Sequence, residues 1–548
     1  MVACSMAGDR IRAVALGLTL ASAAVPAALN GQPSDVASGG LFRTAQRCLV
    51  CHDGLTSPTG EDVSIGSSWR SSMMANSAKD PYWQASVRRE IMDRPDMRED
   101  IEDECATCHM PMSRFQARRN GARGQVFTHL PTNQTVSPLT TLAADGVSCS
   151  LCHQIQDEKL GEGESFTGGF QIDTITASGR RVVFGPFAVD DGRRTVMRSA
   201  SGFAPDEATH IQRSELCATC HTVFTSAFGP AGEVVGRLPE QVPYLEWLHS
   251  DYRGQQSCQT CHMPEVAGET HLTRVLGQPR EGLSRHDFRG GNFFVLSMLG
   301  RHREELDVRA TEQELEDAAR ITRDFLATST ASITLERSEL SAGRLSVEVV
   351  VSNRAGHKLP TAYPARRAWI HFTVRNRNGE TVFESGAFDR GRIVGNDNDA
   401  DAARFEPHYR QISDTAHVQV YESIMVDVRG AVTTGLLTGV RYIKDNRLLP
   451  LGFDPATAAD DIAVRGGAAE DPDFRGGQDR VRYEVVVAGD DSLEVEAELL
   501  YQPVAYRWAE NLRAYDAAET ARFVSYYDAM AASSATPLAR IAATVSAR

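Results

Sequence analysis

Cys217-Ala-Thr-Cys220-His221 is the stretch that decides how this chain is built, because the same C-x-x-C-H unit occurs four more times. The others are Cys48-Leu-Val-Cys51-His52, Cys105-Ala-Thr-Cys108-His109, Cys149-Ser-Leu-Cys152-His153 and Cys258-Gln-Thr-Cys261-His262. Of 11 cysteines, only Cys4 lies outside the five units. Two thiols at this spacing add across the two vinyl groups of one haem, and the next residue, His, coordinates the iron. A disulfide framework would not place His after every second Cys. Zinc sites do not need that His, and a thioredoxin-like pair would occur once. The ten cysteines are therefore read as anchors for five covalent c-type haems, with His52, His109, His153, His221 and His262 as proximal iron ligands.

All five units lie between Cys48 and His262, too closely spaced for each haem to have its own domain. Five porphyrins must share one body and form much of its core. The expected class is α+β. A haem-cored, mostly helical or irregular pentahaem domain (38–330) is followed by an antiparallel β-sandwich (331–505) and a C-terminal helical segment (506–548). The longest gap between units, Ser165–Pro205 with a strand-like 181–187, reads as a β-rich excursion. Thr311 and Glu314 form a capping box for a helix over 312–327. Beyond residue 331 the texture changes: Leu345, Val347, Val349 and Val351 alternate with more polar residues, as do Ile370, Phe372 and Val374. Asn378-Gly379 marks a hairpin turn before Thr381–Phe383. Further strands are expected over 418–428, 481–487 and 493–501. Asp516 with Glu519 predicts a cap for a last helix reaching Ala531.

Each iron needs a sixth ligand or keeps an open position. Beyond the five proximal residues, ten of the 15 histidines remain. His129, His210, His271 and His286 lie within or just after the haem region and are the leading candidates, ahead of His249 and His302. His357, in Asn353-Arg-Ala-Gly-His-Lys-Leu-Pro-Thr361, sits in a loop shaped by Gly356 and Pro360. If it reached a haem it would tie the β-domain to the haem body; the alternative is a structural loop. The first unit is followed by Trp69-Arg-Ser-Ser-Met73-Met74 with no His. A thioether can replace imidazole and raises the reduction potential, so Met74 is the expected partner of the first haem. His371 faces the polar side of a strand and reads as structural.

Composition excludes some roles. The formal charge of −15 argues against a nucleic-acid partner. Lysine occurs only at Lys79, Lys159, Lys358 and Lys444, and Arg supplies the remaining basic residues. Arg10 and Arg12 precede an apolar run over 13–29, and Val25-Pro26-Ala27 offers a cleavage site. Residues 1–27 are read as a signal peptide that removes Cys4; Met6 is an alternative start. No membrane span is expected after its cleavage, which places the protein in the periplasm or at the cell surface.

Glu215-Leu-Cys-Ala-Thr-Cys-His-Thr, Tyr244-Leu-Glu-Trp-Leu-His-Ser and Cys258-Gln-Thr-Cys-His-Met-Pro264 resemble multihaem cytochromes c. The resemblance is to the tetrahaem electron carriers of nitrifying bacteria and their uncharacterised relatives. It covers roughly residues 40 to 450 and includes Gly-His-Lys-Leu-Pro-Thr at 356–361. In that group a His or Met commonly stands in a Trp-x-x-Ser-x-(ligand) pattern, which lands on Met74 here. The same pattern from Trp247 lands on Tyr252, a departure from the group's His or Met. The resemblance implies haems that pass electrons between porphyrin edges and exchange them with redox partner proteins. The rival expectation is an oxidoreductase with one open haem acting on a small nitrogen or sulfur compound. Against it, every unit ends in His, whereas pentahaem nitrite reductases usually carry Lys at the active haem. Nothing in the sequence bears on oligomeric state.

Overall fold

The computed structural model describes residues 40–134, 137–396, 398–487 and 492–547. The expected signal peptide, with Cys4 and Met6, lies outside them. Among the described residues, no helix is long and apolar enough to cross a membrane.

The chain is mixed α+β. Residues 40–330 form short helices joined by irregular segments. All five C-x-x-C-H units end a helical turn: Gln46–His52, Arg98–His109, Cys149–Cys152, Ser214–His221 and Cys258–His262. One turn of helix puts residues i and i+3 on one face, so both thiols of a unit point the same way. Small hydrophobic clusters lie beside these units. Leu41, Phe42, Met112, Leu142 and Leu151 belong to one of them, and Trp83, Val87, Ile91 and Ile101 to another.

The excursion after the third unit is not purely β. Strands β1 (Arg181–Gly185) and β2 (Phe203–Glu207) pair in parallel, with the helix Asp191–Ser201 between them. A parallel pair needs a crossover, and the helix supplies it. After the fourth unit, β3 (Val223–Phe228) and β4 (Val234–Gln241) form a hairpin.

The helix Glu312–Ser329 carries the Thr311/Glu314 capping box and leads into the sheets. Long strands follow: β5 (Ala331–Ser341), β6 (Arg344–Asn353), β7 (Arg367–Asn376), β8 (Thr381–Ser385), the short β9 (Gln411–Ile412) and β10 (Val420–Tyr421), β11 (Gln478–Val486), β12 (Ser492–Gln502) and β13 (Thr536–Ser546). One sheet runs β9–β11–β6–β5; the other runs β8–β7–β12–β13, with β10 also on β7. Val347, Val349, Val481 and Val485 of the first sheet share one core with Ile370, Val374, Val495 and Leu499 of the second. The rings of Phe372 and Tyr483 stack across the sheets at 3.8 Å. Alternation of side chains along each strand gives every strand one such buried face.

Three local expectations change. Residues 418–428 do not form one strand. β10 ends at Tyr421 and 423–426 joins a separate small sheet. The last helix is Ala518–Met530, and its N-cap, Ala517, offers no side-chain cap, so Asp516 does not play that part. The segment beyond 506 is not only helical either. β13 pairs along β12 and returns Leu538 and Val545 to the core.

Candidate functional site

Four of the five unit histidines are oriented the same way. Each ring donates its Nδ1–H to a backbone carbonyl: His52 to Leu272 (2.8 Å), His109 to Ser77 (3.1 Å), His153 to Phe184 (2.6 Å) and His262 to Arg289. With Nδ1 carrying the proton, Nε2 presents a lone pair. Proteins orient metal-ligating imidazoles in this manner. Burial lowers all five rings below the usual histidine range, His109 and His221 to about 4. They are neutral at neutral pH and able to coordinate. Among the described residues, no carbonyl meets His221 in this way. Trp83 stacks on the face of His109, with centroids 4.4 Å apart and planes 6° from parallel.

Two further histidines meet this set. The His153 and His286 rings lie 6.5 Å apart at 19°, and the His262 and His357 rings 6.2 Å apart at 13°. His286 and His357 also use Nδ1 for a carbonyl, of Ser284 and Lys358 (both 2.9 Å). Metal–imidazole bonds of about 2 Å put two imidazoles on opposite sides of one ion with centroids roughly 6 Å apart. Both pairs fit that spacing, and their near-parallel planes suit two axial rings. The donor set thus fits bis-imidazole haem at the third and fifth units.

The His357 loop is held from both halves of the chain. Asn353 donates from Nδ2 to the His357 carbonyl (2.8 Å), and Lys358 Nζ lies 2.7 Å from Asp445. Glu246, fully buried, accepts from the Lys358 backbone N–H (3.1 Å) and pairs with Arg447 (3.0 Å). A Cβ on Gly356 would come within 3.3 Å of Trp247, so glycine is what lets the loop approach.

The other candidates are placed differently. His129 is buried with Nδ1 at the Thr140 hydroxyl (2.9 Å) and Nε2 facing Ser113 (3.4 Å). An axial role does not fit this geometry, because both nitrogens already meet hydroxyls. His210 donates Nε2–H to the Ile155 carbonyl (2.8 Å), which leaves only Nδ1. His271 is exposed on a two-residue strand and, among the described residues, meets no unit histidine; its neighbour Leu272 supplies the carbonyl to His52. Met74 is half-buried. Its carbonyl accepts from Val147 N (2.9 Å), and Ala75 packs in a cluster with Leu49 and Cys149, between the first and third units. His249 bonds Asp454 (3.0 Å), and His302 stacks on Tyr526 at 3.5 Å.

Contacts between units set their spatial order, which the sequence left open. Arg43 N meets Ser150 Oγ (3.1 Å) and Leu49 packs in one cluster with Cys149, joining units one and three. Leu151 packs with Leu216 and Cys220, joining three and four. Gly168 donates to the Thr219 carbonyl (2.7 Å) while lying against Thr107, joining two and four. Cys258 N donates to Ser214 Oγ (3.0 Å) and Gln259 to the Arg213 carbonyl (2.8 Å), joining four and five. The order is one–three–four–five, with two branching from four.

The fold is thus a body of short helices carrying five C-x-x-C-H units, joined to a β-sandwich. The chain is similar to a solved structure, the crystal structure of a penta-heme cytochrome c552 from Thermochromatium tepidum. The likeness has a TM-score of 0.52 at 15% identity and covers 92% of this chain and 99% of that one. No protein-family model matches the chain, and no curated protein matches it.

Proposed function

We propose that this chain is a pentahaem c-type cytochrome that transfers electrons. The observation that carries this reading is the pairing of His153 with His286 and of His262 with His357 at a spacing suited to one metal between each pair. Bound haem iron supplies one-electron chemistry, and its potential follows from axial ligand, burial and nearby charge. The chain's own residues do the rest. Ten thiols on five helical turns hold the groups covalently. Carbonyls of Leu272, Ser77, Phe184 and Arg289 fix the imidazole tautomers. The order of the units defines a path with the first and fifth at its ends and the second as a branch. Met74 is proposed for the first iron, and His210, through Nδ1, for another. Export to the periplasm or cell surface, exchange with redox partner proteins and no nucleic-acid partner belong to this reading. So does kinship with the tetrahaem carriers of nitrifying bacteria.

A second reading, an oxidoreductase with one open haem, is favoured by one observation. His52, His109 and His221 have no second imidazole at the paired distance among the described residues. The test is the ferric protein purified with its haems. Mass spectrometry counts covalent haems, and electron paramagnetic resonance separates low-spin from high-spin iron. Five low-spin centres support electron transfer alone. A high-spin centre that shifts with cyanide or nitrite supports the enzyme. Absence of covalent haem removes both.

A further inference from the structure

Two carboxylates of the second-unit region lack, among the described residues, the cation partner that several other buried carboxylates of this chain have. Asp399 pairs with Arg367 (2.7 Å), Glu422 with Lys444 (3.0 Å), and Asp445 with Lys358 and Arg447. Glu90 is only 6% exposed, on the helix Pro81–Asp93. Its Oε1 accepts from Leu436 N (2.9 Å), but its Oε2 is buried and meets no donor. Glu240, at the end of β4, is half-buried; its oxygen accepts from the Thr225 hydroxyl, and no Lys or Arg pairs with it among the described residues.

The surrounding packing brings Glu90 to the Cys105/Cys108 unit, and Leu238, two positions before Glu240 and on the same face of β4, lies against Gly439 in the loop that caps Glu90. Val87 and Ile91, on either side of Glu90, pack in one cluster with Cys105, Phe228 and Leu437. Phe228 N bonds the Leu437 carbonyl (2.8 Å), tying β3 and its partner β4 to the loop that caps Glu90. Tyr82 and Tyr363 pack edge to face at 5.9 Å in the same region. Burial first, then Glu104 and Glu90, push Glu240 up to about 7, and burial also raises Glu90 despite Arg89. The charged and titratable groups facing the pair are Arg89 and Asp93 from the Glu90 helix, Glu104 and Cys105 from the next, and Tyr363 and Tyr442 from the β-domain.

We propose that Glu90 and Glu240 form a proton-holding pair that takes up one proton from solvent when an electron reaches the second unit. The inference rests on the haem reading above. Unpaired carboxylates in one low-dielectric region cannot all stay ionised. An added electron removes one positive charge nearby, so a carboxylate there gains affinity for a proton. The electron comes from a one-electron donor protein or an electrode, and on reoxidation the proton leaves with it. The pair is then a charge-compensating site on the branch of the path.

The test is a spectroelectrochemical titration of the haem-loaded protein at pH 6, 7 and 8. One component should fall in midpoint potential as pH rises, by up to about 59 mV per unit, the tenfold equivalent for one electron. In Glu240→Gln that slope should shrink, and in Glu90→Gln/Glu240→Gln it should vanish. In the unaltered protein, a reduced-minus-oxidised infrared spectrum should gain a protonated-carboxyl band. A full haem complement with an unchanged slope in the double variant overturns this proposal alone, as does absence of the band. Absence of covalent haem overturns the haem reading and this one with it.

Discussion

The Lys358 ammonium lies 2.7 Å from the Asp445 carboxylate, both fully enclosed, one residue beyond His357. Arg447 binds the same carboxylate at 2.8 Å. Asp445→Asn would leave two buried cations without their shared acceptor, at a cost of about 3–5 kcal/mol. Lys358→Met should cost less, since Arg447 keeps Asp445 paired. Although burial opposes it, Arg447 and Lys358 hold Asp445 well below the usual carboxylate range. A depressed folded value means its contribution is present above about pH 3.9, the unfolded value, and is lost as pH falls through the folded one. Denaturant midpoints of both variants at pH 7 and pH 4 check this; the Asp445→Asn penalty should persist at pH 4.

His357 and His286 should each govern one iron. Replacing either by Ala should convert one low-spin centre to high spin and leave the remaining centres unchanged. His357→Met should keep low spin and raise one potential, since thioether ligation favours the reduced form. His129→Ala, whose ring nitrogens meet Thr140 and Ser113, should leave every haem signal in place. Magnetic circular dichroism with a potentiometric titration distinguishes these outcomes, and a spectral change in His129→Ala would count against the assignment.

The fourth unit touches the second, third and fifth. Cys217→Ala/Cys220→Ala should therefore do more damage than Cys258→Ala/Cys261→Ala at the end of the path. Both should lower the mass of the mature protein by one haem. Only the first should also slow reduction of the remaining haems by an electrode-coupled donor. Gly168, at φ +74° against Thr107, is the backbone joint between units two and four. Gly168→Ala should cost at least about 1–2 kcal/mol from the left-handed backbone alone. Thermal unfolding of the haem-loaded protein reads it.

On the second sheet, His371 lies between Glu384 (3.0 Å) and Glu498 (3.3 Å). Burial opposes its protonation, but Glu498 and Glu384 win and raise it above the usual histidine range. A raised folded value gives stability that is fully present below about pH 6.5, the unfolded value, and is lost as pH rises through the folded one. The gain over His371→Gln should be under about 1 kcal/mol at pH 6 and absent at pH 9. Equal differences in unfolding midpoint at both pH values would refute it.

Much of the site was legible one residue at a time. C-x-x-C-H is a local grammar, set by the reach of two thiols on one helical turn, and five copies needed no tertiary information. The alternation of Val347, Val349 and Val351 announced a buried strand face, since side chains on a strand alternate by geometry. Thr311 and Glu314 announced a helix start three residues apart. β13 was missed because Ala and Arg interrupt its alternation, and its partner β12 supplies the reason it is a strand.

The amino-acid sequence by itself determined where five pairs of thiols stand, which imidazole follows each pair, and that an alternating β-region follows. Those features depend on neighbours within a few residues. Only the tertiary structure decided which distant histidines face the third and fifth units and in what order the units touch. It brought His357 to His262 across 95 positions of chain and set the His129 ring between the hydroxyls of Thr140 and Ser113. Such pairings depend on loop closure and on which nitrogen a carbonyl or hydroxyl already occupies, and neither is written in local spacing.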